Sequence, residues 1–198
     1  MKKALLICFL FGWCLSTNGQ VVIPSKDVQL RSAVLAAPEA LRDGATVYGY
    51  DQDGELVLLK DGTNGIICLA DDPSSKGFSV ACYPEALEPF MARGRELKKK
   101  GLGFKEIFEQ REKEVQSNQL KMPKDGTTLF IYFTNEESAF NPDTGEVKDG
   151  NFRYVVYIPY ATAETTGLPL SLEAPGMPWI MDPGTHRAHI MINPPTNK

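Results

Sequence analysis

Residues 127–134 read Thr-Thr-Leu-Phe-Ile-Tyr-Phe-Thr and form an uninterrupted run of residues that favour β-strands. Because such a run is apolar on both faces, it predicts a strand that is covered on both sides of a sheet. Residues 152–160, Phe-Arg-Tyr-Val-Val-Tyr-Ile-Pro-Tyr, form a second run beyond a polar stretch. We expect these two strands to be neighbours near the centre of one sheet. The side chains expected to be deeply buried there are Leu129, Ile131, Phe133, Tyr154, Val156 and Ile158.

Outward from this pair, shorter apolar runs alternate with turn residues. Further strands are predicted at 45–50, 55–60, 66–69, 78–83 and 187–192. Helices are predicted at 27–43, with a break at Pro38, and at 84–100 and 104–117. Because helices and strands come in blocks rather than in strict alternation, the sequence predicts an α+β fold. We expect a single domain with a largely antiparallel sheet, on which the N-terminal and central helices pack.

Residues 1–19 have the pattern of a secretory signal peptide. Two lysines precede an apolar run, Ala4–Leu15, and polar residues follow it. The run is too short to span a bilayer, which needs about 20 apolar residues. Cleavage before Gln20 would leave residues 20–198 as one α+β domain, with residues 20–26 as a flexible arm.

These features predict export, with a soluble periplasmic or extracellular protein after cleavage. A lipid anchor on Cys14 is the alternative, and the bulky Phe11 and Trp13 before that cysteine disfavour it. No second apolar stretch of the sequence approaches membrane length, so no membrane span is expected. The net charge of −4 argues against a nucleic-acid binder, which needs a concentrated basic surface.

Removal of the signal peptide leaves two cysteines, Cys68 and Cys82. Two cysteines in an exported chain most often form one disulfide. We expect this bond at the two ends of an irregular loop, residues 71–77. A ring of about 15 residues stabilises a fold by roughly 3 kcal/mol in the chain-entropy model. The alternative is a reactive thiol with His186 or His189 as its base.

The two histidines of the chain lie in one short segment. Strand parity puts His189 and Met191 on one face, while His186 falls in the preceding turn. Methionine and histidine ligands suit copper, especially Cu(I). The candidate soft-metal ligands are therefore His189, Met191, Met181, Met177 and His186. The alternative is a structural His189 that is hydrogen-bonded to the backbone, with methionines that fill gaps in the core.

Other short motifs favour turns and solvated surfaces. Asp51–Glu55 is similar to the start of a calcium loop, but the glutamate required at loop position 12 is absent, so a hairpin turn is expected. Residues 62–65, Gly-Thr-Asn-Gly, lack the features of a phosphate loop and are expected to form a turn that uses positive φ angles. Lys98–Lys100 is expected at a solvated helix end. The sequence contains no serine-hydrolase motif.

Several motifs together resemble an uncharacterised family of exported bacterial proteins. They are Ala-Ala-Pro-Glu-Ala-Leu-Arg at 36–42, Gly-Ala-Thr-Val at 44–47, Gly-Thr-Asn-Gly at 62–65, Cys-Leu-Ala-Asp-Asp-Pro at 68–73, Ala-Cys-Tyr at 81–83, Glu-Pro-Phe-Met-Ala-Arg-Gly at 88–94, Pro-Trp-Ile-Met at 178–181 and Ala-His-Ile-Met at 188–191. The resemblance covers most of the mature chain. It implies export and a single domain, and it implies no substrate and no catalytic residues.

The sequence therefore predicts a protein that binds a small molecule or a protein partner and performs no chemistry, without a cofactor. One alternative is a copper-binding protein that uses His189 and the nearby methionines. A second alternative is a small hydrolase with His189 as its base, for which the sequence offers no identifiable nucleophile.

Overall fold

The computed structural model describes residues 22–195, which form one eight-stranded sheet with helices on it. The strands are β1 (Thr46–Tyr50), β2 (Leu56–Lys60), β3 (Ile66–Leu69), β4 (Phe78–Pro84), β5 (Thr127–Thr134), β6 (Asn151–Tyr157), β7 (Trp179–Met181) and β8 (His189–Ile192). Their order is β2-β1-β3-β4-β5-β6-β8-β7, and all neighbours are antiparallel except β1 with β3. The predicted α+β fold and the pairing of β5 with β6 are confirmed.

Besides three short 3-10 helices, five α-helices accompany the sheet in the described part of the chain. They are α1 (Lys26–Ala33), α2 (Glu39–Arg42), α3 (Glu88–Lys99), α4 (Phe104–Gln116) and α5 (Ala163–Thr166). The α1 helix begins inside the predicted arm because the Ser25 hydroxyl accepts the Val28 N–H at 3.4 Å and caps the helix. Between residues 22 and 195, no helix is long and apolar enough to cross a membrane. The predicted signal peptide, residues 1–19, lies outside the described residues.

Side chains that alternate along the strands build two cores, one on each face of the sheet. On the first face, α1 and the helical turn after it pack against Val47 and Val80. On the second face, α3 and the end of α4 pack against Leu129 and Val155. The middle of the sheet is therefore covered on both sides, as the apolar run of β5 predicts.

The predicted burial is wrong for most of the residues named from the two apolar runs. Leu129 is buried, but the others are only half-buried: Ile131, Phe133, Tyr154, Val156 and Ile158. Leu129 pairs with Val155 whereas Phe130 pairs with Tyr154, so the named residues are divided between the two faces. The core of the first face includes Phe130 but, among the described residues, no side chain of β6. The cover provided by α1 therefore ends before that strand.

β1 and β3 are parallel because the chain passes the start of β1 on its way from β2 to β3. A Cβ atom on Gly62 would lie 2.2 Å from the backbone nitrogen of Thr46, so only glycine fits this passage. The Gly62 N–H donates to the Thr46 hydroxyl at 3.0 Å. The Thr63 N–H donates to the Gly44 carbonyl at 2.8 Å. The expected turn is present. Residue 62 must be glycine because its backbone lies against the backbone of β1, whereas the positive φ of 71° is at Gly65.

Cys68 and Cys82 form the predicted disulfide. They lie directly opposite each other with their Cα atoms 4.1 Å apart, inside the β3–β4 ladder rather than at the ends of the connecting loop. Both are fully buried on the first face, and Cys82 Sγ is 3.3 Å from the carbonyl oxygen of Ala33. The bond therefore fastens two adjacent strands beneath α1. The reactive-thiol alternative is wrong because the two sulfurs are bonded to each other.

Reduction of this disulfide is expected to lower the free energy of unfolding by about 3 kcal/mol, because the unfolded chain loses a ring of about 15 residues. The measurement is urea denaturation of the oxidised and the reduced wild-type protein, which share the same core side chains. The Cys68→Ala, Cys82→Ala double variant should lose at least as much, since it also leaves a cavity. A loss below about 1 kcal/mol in both comparisons would contradict the bond as a restraint on the unfolded chain.

Candidate functional site

His189 begins β8 and lies on the second face of the sheet, where its ring centroid is 5.5 Å from that of Tyr157. Only 2% of its surface is exposed. Its Nδ1 lies 2.7 Å from the carbonyl oxygen of Arg187, so this nitrogen carries the proton and donates to the backbone. Burial lowers the pKa of His189, and the ring is neutral at pH 7. The geometry is that of a histidine hydrogen-bonded within the core.

The predicted soft-metal ligands are only partly brought together. Met181 lies directly opposite His189 in the β7–β8 ladder, and Met191 shares their face two residues further along β8. Met177 lies outside the strands and is exposed, and His186 is held elsewhere by an acidic side chain. Within the described residues, no three His, Cys, Asp or Glu side chains gather as a metal cluster.

His186 is fully buried in the turn before β8. Its Nδ1 is 2.6 Å from Glu112 Oε2 on α4, and its backbone N–H donates to the same oxygen at 3.0 Å. The ring packs edge-on against Phe90 and Phe108, with centroids 5.7 and 5.0 Å away. Burial lowers the pKa of His186 although Glu112 opposes the shift, so the neutral ring donates from Nδ1. Its Nε2 has no hydrogen-bond partner among residues 22–195.

The His186–Glu112 pair fastens the C-terminal part of the described chain to α4. The Tyr160 hydroxyl donates to the other oxygen of Glu112 at 3.2 Å. The Tyr160 N–H donates to the Thr185 carbonyl at 2.8 Å, so the loop after β6 and the turn of His186 are also joined through the backbone. The Glu112 carboxylate thus holds two loops against one helix, which gives His186 a structural role.

A separate cleft opens beside the second face, at the ends of β1 and β3. Its volume is about 490 Å³, which is within the range of small-molecule sites. Four segments form its walls: the end of β1, the β1–β2 hairpin, the loop after β3 and the last turns of α3. The polar residues that line it include Tyr50, Glu55, Asp72, Arg95, Lys98 and Lys99. Because β1 and β3 are parallel, their carboxyl ends deliver Tyr50 and Asp72 to the same edge of the sheet.

Arg95 is held in the wall of the cleft by two partners from neighbouring elements. Its Nη1 donates to the Tyr83 hydroxyl at 2.9 Å, and its Nη2 donates to Glu88 Oε1 at 2.6 Å. The Tyr83 hydroxyl in turn donates to Glu88 Oε2 at 2.7 Å, which closes the network. A guanidinium has five N–H donors, so several remain without an acceptor among the described residues. Arg95 is therefore an oriented planar donor among the residues that line the cleft.

Asp72 supplies an oriented carboxylate on the loop side of the cleft. Its Oδ1 accepts from the N–H and the hydroxyl of Ser74, at 3.0 and 2.6 Å. Its Oδ2 has Lys98 Nζ at 3.5 Å, which is a loose ion pair. Burial acts to raise the pKa of Asp72, but the bonds from Ser74 and the Lys98 charge outweigh burial and lower it. Asp72 is therefore ionised at neutral pH, and 28% of its side chain is exposed.

The pKa of the neighbouring Asp71 is shifted in the opposite direction. Its Oδ1 accepts the Ser79 N–H at 2.7 Å, but burial outweighs this bond and, together with the Asp72 charge, raises the pKa to about 6. Burial, followed by the charges of Asp72 and Asp71, raises the pKa of Tyr50 to about 12. Tyr50 is therefore a neutral phenol beside these carboxylates at physiological pH.

This cleft was not apparent from the sequence. The Asp51–Glu55 turn and the Lys98–Lys100 stretch each have the pattern of an isolated solvated feature. The structure brings them together, and Glu55 and Lys99 form an ion pair at the cleft. The opposite charges of these two segments were the one feature of the sequence that could have indicated their contact. Charge alone does not specify which solvated segments meet.

Comparison with known proteins assigns no function to the chain. No family model, no curated protein and no solved structure matches the chain. The resemblance to exported bacterial proteins therefore stays a prediction from its motifs.

The Asp71→Asn variant is expected to be more stable than the wild type above about pH 6 and equally stable below about pH 4. Because the pKa of Asp71 is raised in the folded protein, the folded state keeps the proton on this carboxyl at pH values where the unfolded chain releases it. The wild type therefore loses stability as the pH rises from about 4 to about 6. Asparagine keeps an acceptor for Ser79 and carries no charge, so this loss disappears. Urea denaturation across the same pH range measures the difference.

The Asp72→Asn variant is the matched control, and its expected effect has the opposite sign. Because the folded-state pKa of Asp72 is lowered, its carboxylate stabilises the fold at neutral pH, and this stability is lost as the pH falls through the lowered value. The variant should therefore be less stable than the wild type at pH 7. If Asp71→Asn and the wild type showed the same change of stability with pH, the buried, protonated state of Asp71 would be contradicted.

Proposed function

We propose that this protein is an exported, non-catalytic binding protein for a small polar molecule, which occupies the cleft at the ends of β1 and β3. The observation that carries the proposal is the cleft itself, about 490 Å³ in volume and lined by oriented charged groups and an aromatic ring. Ligand sites in proteins commonly combine a concave surface with a few fixed polar groups.

The two histidines support binding rather than catalysis. Each ring engages its Nδ1 within the protein, His189 with a backbone carbonyl and His186 with Glu112. Both rings are almost fully buried, and neither lines the cleft. General acid–base chemistry needs a group within hydrogen-bond reach of the substrate. A molecule in the cleft therefore meets no imidazole.

Export is supported by the disulfide and by the N-terminal sequence pattern. Disulfides persist in the periplasm and outside the cell, whereas cytoplasmic thiols are kept reduced. The Cys68–Cys82 bond is buried in the sheet, where neighbouring side chains pack around it. A soluble periplasmic or extracellular location of the mature chain agrees with both observations.

Binding is tested by filling the cleft. The Ser74→Trp variant places an indole in the cleft wall, and Ser75→Trp places the same side chain on the adjacent exposed residue outside the lining. Small polar metabolites are screened by thermal shift on the wild type, and each stabilising compound is then titrated calorimetrically. We expect Ser74→Trp to weaken binding at least about tenfold and Ser75→Trp to bind like the wild type.

Two outcomes would contradict this proposal. Equal affinity of the two tryptophan variants, both with cooperative unfolding, would exclude the cleft as the site. A screen in which no small molecule stabilises the wild type would exclude small-molecule binding and favour a protein partner.

Copper binding is the second candidate function, and the cross-strand pair of His189 and Met181 favours it. Directly opposed residues of an antiparallel ladder have Cβ atoms about 5 Å apart, so the imidazole and the thioether are neighbours. Met191 lies on the same face. Because Nδ1 of His189 is engaged, Nε2 is the nitrogen that would bind Cu(I).

The copper candidate is tested by titration with Cu(I) against a competing chelator. His189→Gln removes the imidazole but keeps a polar side chain, and Met181→Leu removes the thioether at similar volume. Both variants should lose Cu(I) binding, whereas Met177→Leu, outside the strands, should bind like the wild type. Wild-type protein that fails to bind Cu(I) at micromolar concentration would end this candidate.

A further inference from the structure

We infer that the ligand of the cleft is a zwitterion, whose carboxylate binds the free donors of Arg95 and whose protonated amine binds Asp72. This inference rests on the proposed function, because it names the chemical class of the molecule in the same cleft. An α-amino acid or a short peptide with free termini carries both groups.

Arg95 is suited to bind a carboxylate because its guanidinium is planar and is already held in place. A guanidinium is a planar fork that matches the two oxygens of a carboxylate. The bonds to Tyr83 and Glu88 already order the side chain, so a ligand does not have to immobilise it. About 28% of the Arg95 side chain is exposed, and the residue lines the cleft.

Asp72 is suited to bind a protonated amine. Ser74 fixes one carboxylate oxygen, and the other oxygen has only the loose contact with Lys98. The Lys98 side chain is 74% exposed, so it is able to turn away when a ligand amine approaches. The carboxyl end of α3 lies at this cleft, and its partial negative charge also favours a cation.

The pairing of charges in the cleft favours a ligand without net charge. Lys98 lies beside Asp72, and Lys99 pairs with Glu55, so each of these cations has an acid next to it. Arg95 likewise pairs with Glu88, and Glu96, the third acid of the lining, pairs with Arg93 and Lys100. A dianion would bring its charge against those acids, and a dication would bring its charge against the lysines. A zwitterion instead places one opposite charge on each side. The cleft, about 490 Å³, is large enough for a dipeptide.

The test uses five defined probes and the mature, oxidised protein in isothermal titration calorimetry. The probes are alanyl-alanine, its N-acetyl derivative, its C-terminal amide, succinate and inorganic phosphate. We expect alanyl-alanine to bind and each blocked derivative to bind about tenfold more weakly, because each lacks one of the two charges. Tighter binding of succinate or phosphate than of alanyl-alanine would overturn the inference.

Substitution of Lys98 separates a zwitterion site from an anion site. Because Lys98 competes with the ligand amine for Asp72, Lys98→Gln should increase the affinity for alanyl-alanine, whereas an anion site would lose affinity. Asp72→Asn keeps an acceptor for Ser74 and should weaken binding about tenfold. Lys105→Gln, on the exposed side of α4, removes the same charge outside the cleft and should have no effect. Unchanged or lower alanyl-alanine affinity in Lys98→Gln would overturn the inference.

Failure of the inference is distinguishable from failure of the proposed function. If the metabolite screen finds a cleft ligand that lacks either an amine or a carboxylate, the zwitterion inference fails and small-molecule binding stands. If neither the screen nor the five probes yield a compound that binds the wild type, both fail together.

Discussion

The close passage of the chain along the start of β1 is the contact on which the first half of the sheet depends. Any side chain at Gly62 would meet backbone atoms of Ala45 and Thr46. With glycine there, the chain leaves β2 on one side of β1 and enters β3 on the other, parallel to β1. The carboxyl ends of β1 and β3 consequently open at the same edge. An antiparallel β3 would send the Asp71-Asp72 pair to the opposite edge, away from Tyr50.

The direction of the next elements completes the cleft. β4 runs antiparallel to β3, so its end at Pro84 lies beside Ile66, at the edge away from the cleft. Helix α3 then returns towards the first edge and delivers its last turns to the cleft. Tyr83, at the end of β4, and Glu88, at the start of α3, reach Arg95 and fix it. The charged wall is therefore a result of strand direction combined with one hydrogen-bond network.

The elements that the sequence predicted well are those whose signal is local. β5 spans the predicted residues, because its apolar run identifies a strand without reference to a partner. β7 was missed, because Trp179–Met181 is too short to show a period and exists through its ladder with β8. The parity of His189 and Met191 was predictable for the same local reason. The burial of His189 and its bond to the Arg187 carbonyl depend on contacts that no spacing encodes.

The cleft was harder to predict, because its residues come from four segments that separately have the patterns of turns and helix ends. Lys98 and Lys99 have no neighbour in sequence that identifies Asp72 or Glu55 as partners. The parallel crossing that brings these segments together depends on a steric fit at Gly62, which a turn motif alone does not reveal.

The tip of the connection between β3 and β4 is exposed at residues 74–76, and exposed loop tips are preferred sites of proteolytic cleavage. Cys68 and Cys82 stand on either side of it, in paired strands. A single cut at this tip therefore releases no fragment, because the sulfur bridge keeps both pieces covalently joined. The nicked protein would migrate as one species in a denaturing gel and separate into two only after a reductant is added.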